Sequence, residues 1–160
     1  MDIPANAKTI WLHDAGQSHR RAPTSNIRID LPGHGFSTLP WPENDTEVVG
    51  IIDEAMEALG LDDAVMSGRG LGRQLAEAHA GTTASKLPQQ PMPDLTPDWA
   101  GAHLHRAWHY CRYGTQYAQW SSRAAGQRKP LTMPSAAILH EQTVDLLRAG
   151  ATTLDAISAQ

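Results

Sequence analysis

The glycine-rich stretch Gly68-Arg69-Gly70-Leu71-Gly72 could position groups for chemistry on a carbonyl compound. It joins a strand-like run to a helix-like run, and such a junction can bend sharply enough that its central residue points outward. The backbone N–H that follows the centre, that of Leu71, would then be free to hold an oxyanion. The centre itself is Gly70, which has no side chain, so this point of the turn offers no nucleophile.

Two residues beside this turn could add side-chain chemistry. Arg69 could attract a carboxylate or a phosphate, although an exposed turn residue is the simpler interpretation. Ser67 falls inside the strand, where its hydroxyl would pack within the sheet instead of facing a substrate. The stretch also differs from a dinucleotide-binding loop, because Arg73 stands at the place of the third glycine.

A group of histidines in the second half has the residue type, but not the full pattern, of a metal site. His105 and His109 are four residues apart, a spacing that zinc sites use on one helical face, and His103 lies close by. The sequence lacks the glutamate of an H-E-x-x-H site and offers no evident third ligand. We therefore expect no metal and no cofactor, and interpret these histidines as a solvated or packed helix face.

The first half of the chain alternates strand-like and helix-like segments. Three β-rich runs predict strands at residues 8–12, 26–30 and 61–67. Asn44 can cap a helix whose apolar residues recur at helical spacing up to Gly60, and Glu47 can reach back to that cap. A second helix is predicted at residues 71–80. This order predicts an α/β fold with a partial parallel sheet and flanking helices.

The second half predicts helices and no strand. Residues 81–97 are rich in Pro, Gln, Thr and Ser, and we interpret them as a linker between a core at 1–80 and a helical region at 98–160. Thr96 as a cap and Pro97 as the first helical residue predict where the first of these helices begins. The last helix is predicted from Ser135 to Gly150.

Two loops, together with the glycine turn, resemble parts of the α/β-hydrolase family. Residues 11–16 (WLHDAG) are similar to the family's HG-type loop, and residues 30–37 (DLPGHGFS) are similar to its D-x-x-G-x-G-x-S loop. The glycine turn lies where the family carries its nucleophile elbow. The resemblance implies a hydrolase-like sheet with a helical cap segment over it.

The same resemblance implies roles for particular residues. An oxyanion site and pocket would be lined by His13, Asp14, Arg69 and Leu71. Residues 98–160 would form the cap-like region, with His103, Trp108 and Arg112 as candidate pocket residues.

The departure at Gly70 decides the expected function. In the family the acid and the histidine follow the nucleophile on later strands, and neither can be located in this chain. We therefore expect a shortened, catalytically impaired relative of small-molecule ester, amide and epoxide hydrolases, a pseudoenzyme. Its ligand, if it binds one, would be a small apolar carbonyl or carboxylate compound near the N–H groups of Asp14 and Leu71. The alternative is a non-catalytic binding protein or a homodimer, in which a second copy covers the edge of a short sheet.

Composition limits the choice of partner. Seventeen acidic residues against 13 Lys and Arg give a formal charge of −4, so we expect neither nucleic acid nor a membrane as a partner. Cys111 is the only cysteine, which excludes an internal disulfide and fits a reducing compartment. The first residues have no basic region followed by a long apolar run, so we expect a cytoplasmic protein.

Overall fold

Three short parallel strands form the sheet in the first half of the chain. The computed structural model describes residues 8–23, 26–82, 91–130 and 132–159. The strands are β1 (Thr9–Leu12), β2 (Ile27–Ile29) and β3 (Val65–Gly68), in the order β2-β1-β3. Ile10 of β1 pairs in register with Ile27 on one side and Met66 on the other. The predicted α/β class with a parallel sheet is therefore confirmed.

Strand β1 occupies the centre of the sheet, with β2 on one side and β3 on the other. Ile10 and Leu12 are fully buried, as expected for a strand with a neighbour on each side. The predicted first two strands match β1 and β2 closely. The third begins later than predicted, because Leu61 accepts a hydrogen bond from the Ala64 N–H (2.8 Å) and closes a turn before β3.

The helix after β2, α1 (Asp45–Ala58), begins and ends at the predicted residues. The Asn44 side chain accepts a hydrogen bond from the Glu47 N–H (3.0 Å) and its amide donates to the Glu47 carboxylate (2.7 Å). Gly60 has φ 63°, and the Leu61 N–H donates back to the Met56 carbonyl (2.9 Å). This left-handed ending satisfies carbonyls at the helix end.

In the first unit, α2 (Leu71–His79) packs against β1 and β3, and α1 packs against α2. The buried apolar side chains of this unit come from β1, both helices, the loop after β2 and the turn before β3: Ile10, Leu12, Leu31, Trp41, Val48, Ile52, Met56, Leu61, Leu71 and Leu75. The described residues up to 82 form this compact unit, and those from 91 onward form a second one.

Two helices build the second unit, α3 (Ala102–Gln116) and α4 (Ala136–Ser158). The predicted start of α3 at Thr96 and Pro97 is wrong. Asp98 accepts hydrogen bonds from the Gly101 N–H (3.2 Å) and from the Ala102 N–H (3.0 Å), so the chain makes a turn before the helix begins. Asp98 therefore does the capping that the sequence assigned to Thr96.

The last helix, α4, begins as predicted but continues further. The Ser135 side chain accepts a hydrogen bond from the Ile138 N–H (3.3 Å). Gly150 has φ 71° and ψ 169°, which interrupts the helix at the predicted end, and a second helical run then reaches Ser158. This second run was missed because a glycine at that point predicts a helix end. Within the described ranges, no helix combines the length and apolar character needed to cross a membrane.

The predicted linker is only partly described. Of residues 81–97, positions 83–90 lie outside the described residues. Residues 91–98 have no regular secondary structure, yet they pack within the second unit. Leu95 is 3% exposed, and the Pro91 carbonyl accepts a hydrogen bond from the Trp120 indole (2.6 Å).

Candidate functional site

The glycine stretch 68–72 makes a sharp turn between β3 and α2. Gly70 has φ 56° and ψ −123°, a conformation in which any other residue would be strained. The glycines on either side, Gly68 and Gly72, allow the turn to lie close to the end of β1. A Cβ atom on Gly68 or on Gly72 would overlap the Leu12 carbonyl at the end of β1. The turn is therefore fixed against the end of the central strand, beside the loop that follows it.

The side chain of Asp14 fills the space at the centre of the turn. Its Oδ1 accepts hydrogen bonds from the Leu71 N–H and from the Ala15 N–H, both at 2.9 Å. A Cβ atom on Gly70 would overlap this carboxylate. The N–H that the sequence analysis expected to be open to a ligand thus already donates to a negatively charged group of the chain itself.

This contact has a clear electrostatic cause. Leu71 is the first residue of α2, and the first N–H groups of a helix have no partner within the helix. The positive end of the helix dipole favours a carboxylate there. Asp14 therefore acts as a cap for α2 from a loop 57 residues earlier in the chain.

Two buried histidines tie the loop after β1 to the loop after β2. The His13 Nδ1–H donates to the Asp14 carbonyl (2.8 Å), and its Nε2 accepts from the Leu31 N–H (3.0 Å). The His34 Nδ1–H donates to the Pro32 carbonyl (2.8 Å), and its Nε2 accepts from the Gly16 N–H (3.1 Å). A carbonyl oxygen can only accept and an N–H can only donate, so both imidazoles are neutral.

The environment of these rings disfavours protonation. Both side chains are about 1% exposed and their ring centres are 5.0 Å apart. Burial lowers the pKa of His13 to about 4, and burial likewise lowers the pKa of His34. Every ring nitrogen is already committed to the backbone, so neither histidine is placed to transfer a proton to or from a substrate.

Asp30 organises the loop at residues 30–37. Its carboxylate accepts hydrogen bonds from the His19 N–H (2.7 Å), the His19 ring (2.8 Å) and the Phe36 N–H (3.0 Å). Burial alone would raise the pKa of Asp30, but these hydrogen bonds outweigh it and lower the pKa. Gly35, at φ 53°, has no room for a Cβ atom beside this carboxylate. The loop is thus held by its own aspartate.

Of the other predicted site residues, Arg69 lies in the glycine turn and the remaining three lie in the second unit. Arg69 is exposed. His103, Trp108 and Arg112 belong to α3 in the second unit, where the Arg112 guanidinium carbon is 5.1 Å from the centre of the Trp108 ring. Among the residues with described positions, no three His, Cys, Asp or Glu side chains gather as a metal site would require.

The role of the Asp14 side chain was not predicted from the sequence. The prediction gave Asp14 a place in the pocket lining and a backbone N–H as an oxyanion donor. The pattern that could have revealed the contact is an aspartate just after β1 combined with a glycine at the centre of the turn, since a carboxylate near a helix start can fill the space that a missing side chain leaves.

The arrangement around Gly70 can hold an internal anion, but it shows no group poised to attack a carbonyl. Comparison with known proteins finds no matching family model, no matching curated protein and no matching solved structure. A function is therefore inferred from the geometry of Asp14, Gly70 and the two histidines.

Proposed function

We propose that this chain is an α/β-hydrolase-like pseudoenzyme, with an oxyanion site that its own Asp14 carboxylate fills. The observation that carries the proposal is the hydrogen bond from the Leu71 N–H to Asp14, at 2.9 Å. Acyl transfer needs a nucleophile, a base to activate it and donors for the oxyanion. Around this turn Gly70 supplies no nucleophile, His13 and His34 are hydrogen-bonded to the backbone, and the Leu71 N–H donor is occupied by Asp14.

A carbonyl ligand would have to displace Asp14 before it could use this donor. Asp14 accepts two hydrogen bonds here, and a hydrogen bond to a charged group contributes about 1.5–3 kcal/mol. A neutral carbonyl oxygen offers a weaker acceptor at the positive end of a helix. An external carboxylate would in addition meet the negative charge of Asp14. The site therefore favours its internal carboxylate over either kind of ligand.

Hydrolysis of activated esters tests this proposal. We expect the purified wild-type chain to release no p-nitrophenol from p-nitrophenyl acetate above the rate of an unfolded sample at equal concentration. A Gly70→Ser variant should remain inactive, because its side chain would overlap Asp14. The Asp14→Gly/Gly70→Ser double variant should also stay inactive, because His13 and His34 keep both ring nitrogens bonded to the backbone.

Asp14 provides the decisive control. If the wild-type chain hydrolyses the ester and Asp14→Asn abolishes that activity, Asp14 acts as a base or nucleophile and the pseudoenzyme proposal is wrong. If activity appears only in the double variant, a base exists near the turn and the reasoning about His13 and His34 is wrong.

Self-association is the second candidate function, and the short sheet favours it. Strands β2 and β3 each have a strand neighbour on one side only within the described residues. The outer N–H and C=O groups of such edges can pair with another chain. Static light scattering at increasing concentration tests this: a concentration-dependent dimer supports the candidate, and a monomer at all concentrations rules it out.

A further inference from the structure

The stretch from Trp99 to His140 carries positive charge without acidic balance. It contains five Lys and Arg residues and no Asp or Glu, although the whole chain has a net charge of −4. The cations are Arg106, Arg112, Arg123, Arg128 and Lys129. The net charge of the chain therefore conceals a locally basic segment, and this segment includes α3 and the loop that follows it.

Two of these cations lie near one aromatic ring, that of Tyr113. The guanidinium carbon of Arg112 is 5.6 Å from the centre of the Tyr113 ring, and that of Arg123 is 4.6 Å from the same centre. Arg112 also lies 5.1 Å from the centre of the Trp108 ring. We call Arg112, Arg123, Tyr113 and Trp108 the arginine–aromatic cluster. Trp108 and Arg123 are exposed and Tyr113 is half-buried, so a dissolved ligand can reach the cluster.

The loop that carries Arg123 is fastened to the end of α3. The Ala118 N–H donates to the Gln127 carbonyl and the Lys129 N–H donates to the Gln116 carbonyl, both at 2.7 Å. The Lys129 ammonium donates to the Gly114 carbonyl (2.9 Å). The positive charge of Lys129 is thus placed at the negative, C-terminal end of α3. These backbone hydrogen bonds fix both ends of the loop that carries Arg123.

Within the described residues, the two guanidinium groups lack the carboxylate partners that Arg73 and Arg106 have. Arg73 pairs with Glu77 at 2.7 Å, and Arg106 lies 3.5 Å from the Asp94 carboxylate. Across the described part of the chain, no carboxylate pairs with Arg112 or Arg123. Attraction to an aromatic ring contributes about 0.5–1 kcal/mol at exposed sites. This attraction to the ring does not offset the repulsion between the two positive charges. A bound anion would offset that repulsion.

From this cluster we infer a binding site for the phosphate group of a small phosphomonoester. Two guanidinium groups match the double negative charge of a phosphomonoester, and each can donate two parallel hydrogen bonds to its oxygens. The exposed Trp108 ring offers a surface for an aromatic or apolar substituent on the phosphate. The inference is independent of the pseudoenzyme proposal, because it uses no residue of the glycine turn.

Isothermal titration calorimetry with phenyl phosphate tests the site. We expect saturable binding of phenyl phosphate, weaker binding of inorganic phosphate, and no binding of acetate at the same concentrations. Arg112→Gln and Arg123→Gln should each weaken the affinity about tenfold or more, as loss of a charge-assisted hydrogen bond predicts. Arg112→Lys, which keeps the charge but loses the planar fork, should also weaken binding.

The matched control is Arg106→Gln, which changes the net charge equally on the same helix. It should leave the affinity for phenyl phosphate unchanged, because Arg106 already lies beside Asp94. Far-UV circular dichroism confirms that each variant is folded, and Arg112→Lys remains informative if a Gln variant unfolds. An equal loss in Arg106→Gln would overturn the inference, since a general charge effect would then explain binding. The inference would also be overturned if the wild type did not bind phenyl phosphate. The same holds if only a single-stranded nucleic acid, tested as oligothymidylate, bound to the chain.

Discussion

Replacing Gly70 with alanine tests whether position 70 and the Asp14 carboxylate compete for one space. Gly70 has φ 56° and ψ −123°, and holding another residue in such a conformation costs about 1–3 kcal/mol. The added Cβ atom would overlap the Asp14 carboxylate and displace a charged hydrogen bond worth about 1.5–3 kcal/mol. We therefore expect Gly70→Ala to lower the free energy of unfolding by roughly 2.5–6 kcal/mol.

A double-mutant cycle separates the two contributions. Asp14→Gly alone should cost about 1.5–3 kcal/mol, because the Leu71 N–H loses its acceptor. In that background Gly70→Ala should cost only the backbone strain of about 1–3 kcal/mol. The two substitutions should thus be less than additive by about 1.5–3 kcal/mol. Urea unfolding followed by circular dichroism measures each free energy. Strict additivity would show that the carboxylate and position 70 do not share the space.

Two further predictions concern the loops beside this turn. Between pH 7 and pH 4 the free energy of unfolding should fall by about 3 kcal/mol on account of His13, since its pKa is about 4 when folded and 6.5 when unfolded. The unfolded chain therefore binds the proton first as the pH falls. Urea unfolding midpoints that do not change with pH across this window would contradict the neutral, buried ring. Gly35→Ala should destabilise the chain more than Gly60→Ala in thermal melts, because both glycines have positive φ but only a Cβ on Gly35 would overlap a side chain, that of Asp30; equal losses would be evidence against Asp30 as the organiser of the loop.

The elements of the first unit could be predicted because their determinants are local. The strand runs and the apolar spacing of α1 lie within single segments, and Asn44 and Glu47 form a cap within one helical turn. Local rules failed where two local patterns compete. Thr96-Pro97 and Asp98 each make an acceptable helix start, and the turn made by Asp98 decides between them.

The content of the candidate site could be predicted only in part. The bend at Gly70 follows from glycine chemistry, which the sequence displays directly. The contact between Asp14 and the Leu71 N–H joins residues 57 apart in the chain. A single sequence does not show that two such distant residues lie close together in space. The same holds for Arg112 on α3 and Arg123 in the loop after it, whose guanidinium groups both lie near the Tyr113 ring.

The missing side chain at position 70 and the Asp14 carboxylate that accepts from the Leu71 N–H are one structural feature of this turn. A side chain at position 70 and the carboxylate of Asp14 need the same space, so each excludes the other. A serine introduced at position 70 alone would meet the carboxylate, and a glycine introduced at position 14 alone would open the donors without supplying a nucleophile. The double replacement would provide a hydroxyl and an open N–H. It would still lack a base, because His13 and His34 keep both ring nitrogens bonded to the backbone, and a hydroxyl without a base is a poor nucleophile.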